Sequence, residues 1–280
     1  MSAATSTNRF RTWWTIFRVS LDERFIYRGD FMLGTLMRFL PMVPQFFLWS
    51  ALFASRGETR ASEPMFGFRY EDIVAYYLLT MISRAFSSMP GLSGTISKQI
   101  RDGEIKKFLV QPVDLLGFLF LGRIAHKIAY FAVATLPFVF IFFLCRGYFP
   151  APPAWEIWLA FFASLLMSFA LGFFLEASLG LLGFWILEVS SLLFIYMLFN
   201  FFLSGHMFPL DMLPPTLQFA VKCLPLQYMA YFPAAVFLGK VHGQDLWWGL
   251  AGQAGWLLFF IFLSRFLFAR GVRRYSAYGG

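Results

Sequence analysis

The chain has 280 residues, of which 59% are hydrophobic and only 14% are charged, and its mean hydropathy is +0.65. This composition is far more apolar than that of a soluble domain, so it predicts an integral membrane protein. The net charge of +8 does not indicate nucleic-acid binding, because the basic residues flank apolar runs and no basic aromatic module lies outside them.

Two cysteines are present, Cys145 and Cys223, and neither lies in a Cys-x-x-Cys or His-Cys cluster. The sequence therefore predicts no structural zinc site and no other metal site. Two buried thiols that act as small hydrophobic side chains are favoured over a disulfide, which stays open as the alternative.

Residues 9–29 are predicted to form an amphipathic helix that lies in the membrane interface rather than crossing it. Tryptophans on its apolar face suit the headgroup level, and five arginines up to Arg28 indicate the cytoplasmic side. The apolar face consists of Phe10, Trp13, Trp14, Phe17, Leu21 and Phe25.

Six membrane spans follow from the apolar runs. Pro41 and Pro44 are expected to kink the first span, and Arg84 interrupts the second. Residues 157–205 are long enough for two helices at about 20 residues per crossing, with an inner turn expected near Ala177–Gly183. The spans are predicted near 31–53, 73–90 and 128–145, as two helices within 157–205, and near 246–268.

A short polar segment, Lys98–Pro112, separates the second and third spans and carries six charged residues among its 15. Ile100, Ile105, Phe108 and Leu109 recur at roughly helical spacing, which is typical of a helix with one apolar face. We therefore predict a short helix over 96–111 at the cytoplasmic membrane surface, bent near Gly103, that serves as a docking surface.

Residues 204–239, the proline-rich segment, are cut by five prolines into pieces too short to cross a bilayer of about 30 Å. Two re-entrant half-helices on the outer side are predicted, the first beginning at Pro214–Pro215 and the second at Pro225. His206, with Phe208 and Pro209, is a candidate outer gate, although such a histidine more often only satisfies local backbone groups.

The distribution of basic residues predicts the orientation of the spans. The predicted inner segments carry thirteen Lys and Arg residues and the predicted outer loops carry six. Cytoplasmic loops are enriched in Lys and Arg, so both termini are expected to be cytoplasmic.

Three charged residues, Arg84, Glu176 and Glu188, fall within the predicted spans. Each costs about 2.5 kcal/mol or more at the bilayer centre, and such groups usually face protein or water. We expect Arg84 and Glu188 to pair, within one chain or across a dimer, and a structural pair is favoured over a substrate contact. Glu176 is alternatively an interfacial residue at an inner span end.

Several motifs in this order resemble the ABC-2 type transporter permeases, closest to a bacterial subgroup of export permeases. They are the six spans, the Asp-Gly-Glu-Ile of residues 102–105 followed by Leu-Val-Gln-Pro-Val, and the Ser-Gly…Phe-Pro-Leu…Leu-Pro-Leu-Gln-Tyr series of the proline-rich segment. The resemblance covers nearly the whole chain, so residues 1–280 are expected to form a single permease domain.

This resemblance implies an exporter subunit that is not itself an enzyme, driven by a separate ATPase that binds ATP and Mg²⁺. The sequence agrees, because it contains no Gly-x-x-x-x-Gly-Lys-Ser/Thr phosphate loop. By resemblance, the working unit has two ATPases and two permeases, either identical or a pair with a sister permease, in the inner membrane of a bacterium. The ATPase contact is expected at Arg101, Asp102, Gly103, Glu104, Ile105, Lys106 and Lys107.

A hydrophobic drug, a lipid or a lipid-linked glycan would each suit such a permease as cargo. An ion-coupled secondary transporter that uses Glu176 and Glu188 is the alternative function, although no inverted repeat is evident between the halves of the chain. A membrane enzyme is a second alternative, and the scattered histidines with no catalytic arrangement argue against it.

Overall fold

The computed structural model describes residues 2–26, 28–55, 63–111, 113–150, 153–186 and 188–275. Secondary structure in these ranges is helical, apart from one isolated bridge between Met65 and Phe68. The chain divides into two compact units. The first comprises Met1–Leu48 with Lys107–Arg146, and the second comprises Trp49–Lys106 with Gly147–Gly280.

The first unit is built around a long helix, α7 (Leu115–Leu144), onto which α1 (Ser2–Ile26) and α2 (Arg28–Phe39) pack. The N-terminal helix starts earlier than the predicted 9–29, and α7 begins at Leu115, before the predicted start of the third span at 128. Arg38 of α2 lies over the ring of Tyr130 at 5.2 Å. The helices are α1 (Ser2–Ile26), α2 (Arg28–Phe39), α3 (Met42–Ala54), of which residues 49–54 fall in the second unit, α6 (Lys106–Val110) and α7 (Leu115–Leu144).

The kink predicted in the first span is present, because α2 ends at Phe39 and α3 begins at Met42 around Pro41. Proline lacks the backbone N–H that an interior helix position donates, which explains the break. Pro44 lies in the first turn of α3, where a missing N–H costs nothing.

The second unit is built around another long helix, α8 (Trp155–Leu181). It packs against α4 (Tyr70–Ser87), α5 (Leu92–Arg101), α11 (Tyr231–Phe237) and α12 (Gly243–Arg274). Gly172 lets the helix approach α4 closely, because a Cβ there would lie 2.1 Å from the carbonyl oxygen of Ser87. The helices are α4 (Tyr70–Ser87), α5 (Leu92–Arg101), α8 (Trp155–Leu181), α9 (Ser190–Leu203), α10 (Pro215–Lys222), α11 (Tyr231–Phe237) and α12 (Gly243–Arg274).

A buried polar contact joins α8 and α12. The side chain of Gln253 is fully buried, and its amide nitrogen donates to the backbone oxygen of Ser164 at 2.9 Å and to Ser168 Oγ at 3.0 Å. Ser164 Oγ donates back to Gln253 Oε1 at 2.9 Å. The amide is thereby satisfied in an apolar setting, where an unpaired polar group would be costly.

Four helices in the described ranges are long and apolar enough to cross a membrane, namely Phe31–Ala54, Leu115–Leu144, Trp155–Phe184 and Gly243–Arg274. The predicted second span corresponds to α4, which has 18 residues and includes Glu71, Asp72 and Arg84. The predicted fifth span corresponds to α9, whose 14 residues rise only about 21 Å. Crossing by these two helices stays a prediction.

The predicted inner turn near Ala177–Gly183 is wrong in position. Helix α8 runs through these residues to Leu181 and continues as a 3₁₀ turn, Leu182–Phe184, so the chain reverses closer to Glu188. The two glycines that suggested a turn, Gly180 and Gly183, instead face α5, as described below.

Each cysteine is a free thiol. Cys145 is half-buried at the end of α7, and Cys223 is exposed after α10, so the expectation that both thiols are buried is wrong for Cys223.

Candidate functional site

The polar segment is a helix followed by a tight turn and a second short helix. Helix α5 starts at Leu92, before the predicted 96, and ends at Arg101, and α6 begins at Lys106. Gly103 has a φ of +77°, a left-handed conformation that favours glycine, and this is the bend expected there. The N–H of Ile105 donates to the carbonyl oxygen of Gln99 at 3.1 Å and closes the turn.

The predicted separation of apolar and charged side chains is present for Ile100 and Ile105, but it is wrong for Leu109, which is 39% exposed. Ile100 and Ile105 are 4% and 1% exposed. Phe108 is half-buried, with its ring 5.3 Å from that of Phe118. The surface therefore presents charges on a helix whose other face is anchored. The exposed charged side chains are Lys98, Arg101, Asp102, Glu104, Lys106 and Lys107.

Two glycines of α8 and its following turn bring α5 into direct contact with the core of the second unit. A Cβ at Gly180 would lie 2.7 Å from the backbone oxygen of Ser93, and one at Gly183 would lie 3.0 Å from Ser97 Oγ. Distances this short leave no space for a side chain at Gly180. Helix α5 therefore packs almost directly against the backbone of α8.

An ion pair links the end of α5 to the start of α9. Arg101 Nη1 lies 3.6 Å from Glu188 Oε2, with the side chains 50% and 65% exposed. Glu188 also accepts hydrogen bonds from the hydroxyl and the N–H of Ser190. These bonds are the main reason that the pKa of Glu188 lies below its ordinary value, and Arg101 lowers it further.

The predicted pairing of Glu188 with Arg84 is therefore wrong within one chain, because Glu188 forms its ion pair with Arg101. The reversal of the chain comes later than expected, which leaves Glu188 on an exposed connection instead of inside a helix. An exposed pair of this kind contributes little stability.

The end of α12 reaches the same turn. A Cβ at Gly271 would lie 2.2 Å from Cδ2 of Phe184, whose ring centroid is 5.9 Å from that of Tyr275. The Tyr275 hydroxyl would lie 3.5 Å from a Cβ at Gly103. The polar segment is therefore in contact with α8, with the start of α9 and with the end of α12.

Arg84 and Glu176 both lie near Tyr196. Both are half-buried, on α4 and α8 respectively, and both lie within electrostatic range of the Tyr196 hydroxyl on α9. Ser93 Oγ lies 3.5 Å from Glu176 Oε2. Tyr196 was not singled out from the sequence, although a phenol within a run of hydrocarbon side chains was the available signal.

The candidate gate residues lie just after α9. His206 and Phe208 are half-buried and Pro209 is buried. The His206 ring packs 5.4 Å from that of Phe201. Two tyrosines of α4 hold the surrounding backbone, because Tyr76 donates to the carbonyl oxygen of Gly205 and Tyr77 donates to that of Met207 at 2.6 Å.

The proline-rich segment forms short elements that begin at the predicted prolines. Pro214 and Pro215 start α10, and Pro225 starts a 3₁₀ turn, Pro225–Met229, which leads into α11. Pro215 and Pro225 each occupy a first helical position, where the missing N–H is not needed, and Pro214 is the N-cap of α10.

Sequence reasoning missed Asp211, which organises this segment. Its carboxylate accepts hydrogen bonds from Lys222 Nζ at 2.8 Å, Gln218 Nε2 at 3.0 Å and the Tyr231 hydroxyl at 2.7 Å. These donors lie on α10 and α11, so one side chain joins three short elements. The available signal was that Asp211 is the only acidic residue between 204 and 239.

In the part of the chain that the structure describes, no three His, Cys, Asp or Glu side chains come together in a way that could hold a metal ion. The arrangement combines exposed charges on the polar segment with buried polar side chains that hold the helices together.

A family model described as "ABC-2 family transporter protein" matches residues 39–279. The match includes α4 to α12, and with them the polar segment and the proline-rich segment. No curated protein matches the chain.

Proposed function

We propose that this chain, which belongs to the ABC-2 transporter family, is the transmembrane permease subunit of an ATP-driven exporter. Two copies of a separate ATPase subunit bind ATP and Mg²⁺, and a second permease, identical or a sister chain, completes the unit. The cargo is a hydrophobic or amphipathic molecule such as a drug, a lipid or a lipid-linked glycan. The protein lies in the inner membrane of a bacterium with both termini cytoplasmic.

The combination of exposed charges and buried apolar side chains in the polar segment is the single observation that carries this proposal. Its charges are exposed, while Ile100 and Ile105 are buried and Gly180 and Gly183 let α5 pack closely against the core of the second unit. A merely solvated loop needs neither the buried face nor the close backbone contact. A helix that binds a moving partner needs both, because the partner's motion has to reach the spans.

Six crossings, including α4 and α9, complete the proposed topology. Thirteen basic residues on the inner segments against six on the outer loops support cytoplasmic termini and a polar segment on the side where ATP is available. The interfacial position proposed for α1 agrees with its tryptophans and arginines.

The ion-coupled alternative receives less support than it had from sequence alone. It requires Glu176 and Glu188 as proton carriers within the membrane, and Glu188 lies on an exposed connection in an ion pair with Arg101. Transport driven by a pH gradient without ATP would still favour that alternative.

Co-purification tests the proposal. The tagged chain is solubilised gently from its host beside a variant in which Arg101, Glu104, Lys106 and Lys107 are all changed to Ala. A control changes Arg11, Arg18 and Arg24 of α1 to Ala, because this variant also loses basic residues from a predicted cytoplasmic end. We expect the natural chain and the control to recover an ATPase and the first variant to lose it. Recovery of no ATPase with the natural chain would contradict the proposal.

A further inference from the structure

Four basic side chains from three helices of the first unit gather around one histidine. Arg24 lies on α1, Arg38 lies on α2, and Arg123 and Lys127 lie on α7. The charges of all four act on the imidazole of His126, which is also on α7. Residues distant in the sequence meet here because α1 and α2 both pack against α7. These five residues are called the basic cluster below.

Contacts between α2 and α7 hold the basic cluster in place. The Arg38 guanidinium lies 5.2 Å from the centre of the Tyr130 ring, and Thr35 Oγ1 lies 3.2 Å from the Tyr130 hydroxyl. The ring of Phe31 packs edge-on against that of His126, with 5.2 Å between the ring centroids. Each contact joins the two helices, so side-chain packing fixes the position of Arg38 relative to His126.

The basic cluster combines exposed and buried polar groups. Arg24 and Arg38 are exposed, Arg123 is half-buried, and Lys127 is only 9% exposed. Within the described residues, Nδ1 of His126 is buried and has no hydrogen-bond partner. This nitrogen donates when it carries the ring hydrogen. An anion that enters beside the two exposed arginines would therefore meet further donors at the buried side of the cluster.

The charge of this region favours an anion that carries phosphate. Helices α1, α2 and α7 together contain eight Arg and Lys residues and three acidic residues. Positive charges held close together repel one another, and a bound anion offsets that cost. Arginine binds phosphate through paired N–H donors. Basic pockets between membrane helices suit the phosphate groups of lipids for this reason.

Exposed apolar side chains beside the basic cluster indicate that a lipid carries the phosphate. Ile128 directly follows Lys127 and is 46% exposed, and Met37 directly precedes Arg38 and is 65% exposed. The apolar run predicted as the third span also begins at residue 128, so we expect the cluster at the level of the lipid head groups. A free anion would use only the charges, whereas a phospholipid also covers the adjoining apolar surface.

We propose that the basic cluster binds the phosphate group of an anionic phospholipid, whose acyl chains lie against the exposed apolar side chains of α2 and α7. Arg24 and Arg38 lie outside residues 39–279, the part of the chain that the family model matches. The site requires neither ATP nor an ATPase, so it goes beyond the proposed permease function. Failure of the ATPase to co-purify would leave lipid binding untouched, and failure of lipid binding would leave the ATPase contact untouched.

Lipid titration of the unmodified chain tests the proposal without any risk of misfolding. The purified protein in an uncharged detergent is titrated with dioleoylphosphatidylglycerol or with dioleoylphosphatidylcholine, and bound lipid is measured by native mass spectrometry. We expect saturable binding of phosphatidylglycerol, about tenfold tighter than that of phosphatidylcholine, because the basic cluster repels the choline group. Equal affinity for the two lipids would overturn the proposal.

Inorganic phosphate distinguishes a lipid site from a site for a free anion. It is added in large excess to the complex with phosphatidylglycerol, and sodium chloride keeps the ionic strength of all samples equal because salt screens surface charges. We expect the lipid to stay bound, since inorganic phosphate does not cover the apolar surface of α2 and α7. Displacement of the lipid by inorganic phosphate would overturn the assignment to a phospholipid.

Two pairs of exposed arginines provide matched variants. Arg24→Gln with Arg38→Gln removes two charges from the basic cluster, and Arg11→Gln with Arg18→Gln removes two charges from α1 outside it. The affinity for phosphatidylglycerol is expected to fall about thirtyfold in the first variant, equivalent to about 2 kcal/mol, and to stay unchanged in the second. Equal losses in the two variants would contradict the site, because net charge alone would then explain the binding.

Discussion

The polar segment and the proline-rich segment are both short, irregular stretches between long helices, yet they are held in opposite ways. In the polar segment the charges are exposed, and the anchoring comes from Ile100, Ile105 and the close approach of α5 to Gly180. In the proline-rich segment the polar groups turn inward onto Asp211. The first surface is therefore available to a partner, whereas the second uses its polar groups to hold itself together.

Gly180→Leu is expected to have the largest effect on this comparison. The new side chain would collide with the backbone of Ser93 and force α5 away from α8. We expect a loss of about 3 kcal/mol in the free energy of unfolding, measured by SDS titration in mild detergent. Gly255→Leu is the control, because a Cβ at Gly255 meets nothing within 4 Å. Equal stability of the two variants would contradict the close contact between α5 and α8.

Asp211→Ala should disturb the other segment while leaving the polar segment intact. It removes the acceptor shared by Lys222, Gln218 and Tyr231, and we expect a loss of about 2 kcal/mol by the same titration. The exposed Asp245 offers a control, since Asp245→Ala should cost about 0.5 kcal/mol or less. Recovery of the ATPase should be unchanged, and its loss would show that the two segments are not independent.

Tyr76→Phe tests the hydrogen bond by which α4 holds the start of the proline-rich segment. The phenol hydrogen bond to the Gly205 carbonyl is lost in a fully buried position, and we expect a cost of about 1 kcal/mol. Tyr148→Phe, at a side chain 38% exposed, should be nearly neutral. A neutral Tyr76→Phe would mean that α4 does not hold the start of the proline-rich segment.

Variants of the exposed ion pair between Arg101 and Glu188 distinguish an effect on ATPase docking from an effect on protein stability. Arg101→Ala and Glu188→Ala should each leave the unfolding transition unchanged, because both side chains are at least half exposed. Recovery of the ATPase should fall for Arg101→Ala and be retained for Glu188→Ala. If both changes reduced recovery equally, Arg101 would act through Glu188 rather than by contact with the partner.

Local signals in the sequence predicted several features correctly. These features are the break between helices at Pro41, the bend at Gly103 and the helix starts at Pro215 and Pro225. Each depends on the effect of a proline or glycine on its own backbone. The buried positions of Ile100 and Ile105 also followed from spacing alone. These features need no knowledge of distant contacts.

Other features depend on contacts between distant residues and could not be read from the sequence. Gly180 and Gly183 suggested a turn, but glycine equally permits close packing, and only the approach of α5 distinguishes the two uses. The misplaced turn then gave Glu188 the wrong partner. Asp211 became recognisable only when residues seven, eleven and twenty positions away met its carboxylate.

Site-specific crosslinking to the ATPase tests the central claim most directly. A photoreactive amino acid replaces Glu104 in the exposed turn of the polar segment, and a second chain carries it at Trp247, which is 71% exposed at the other end of the predicted topology. Irradiation of native membranes should crosslink an ATPase from position 104 and not from position 247. Crosslinking from neither position, or equally from both, would contradict the polar segment as the ATPase contact.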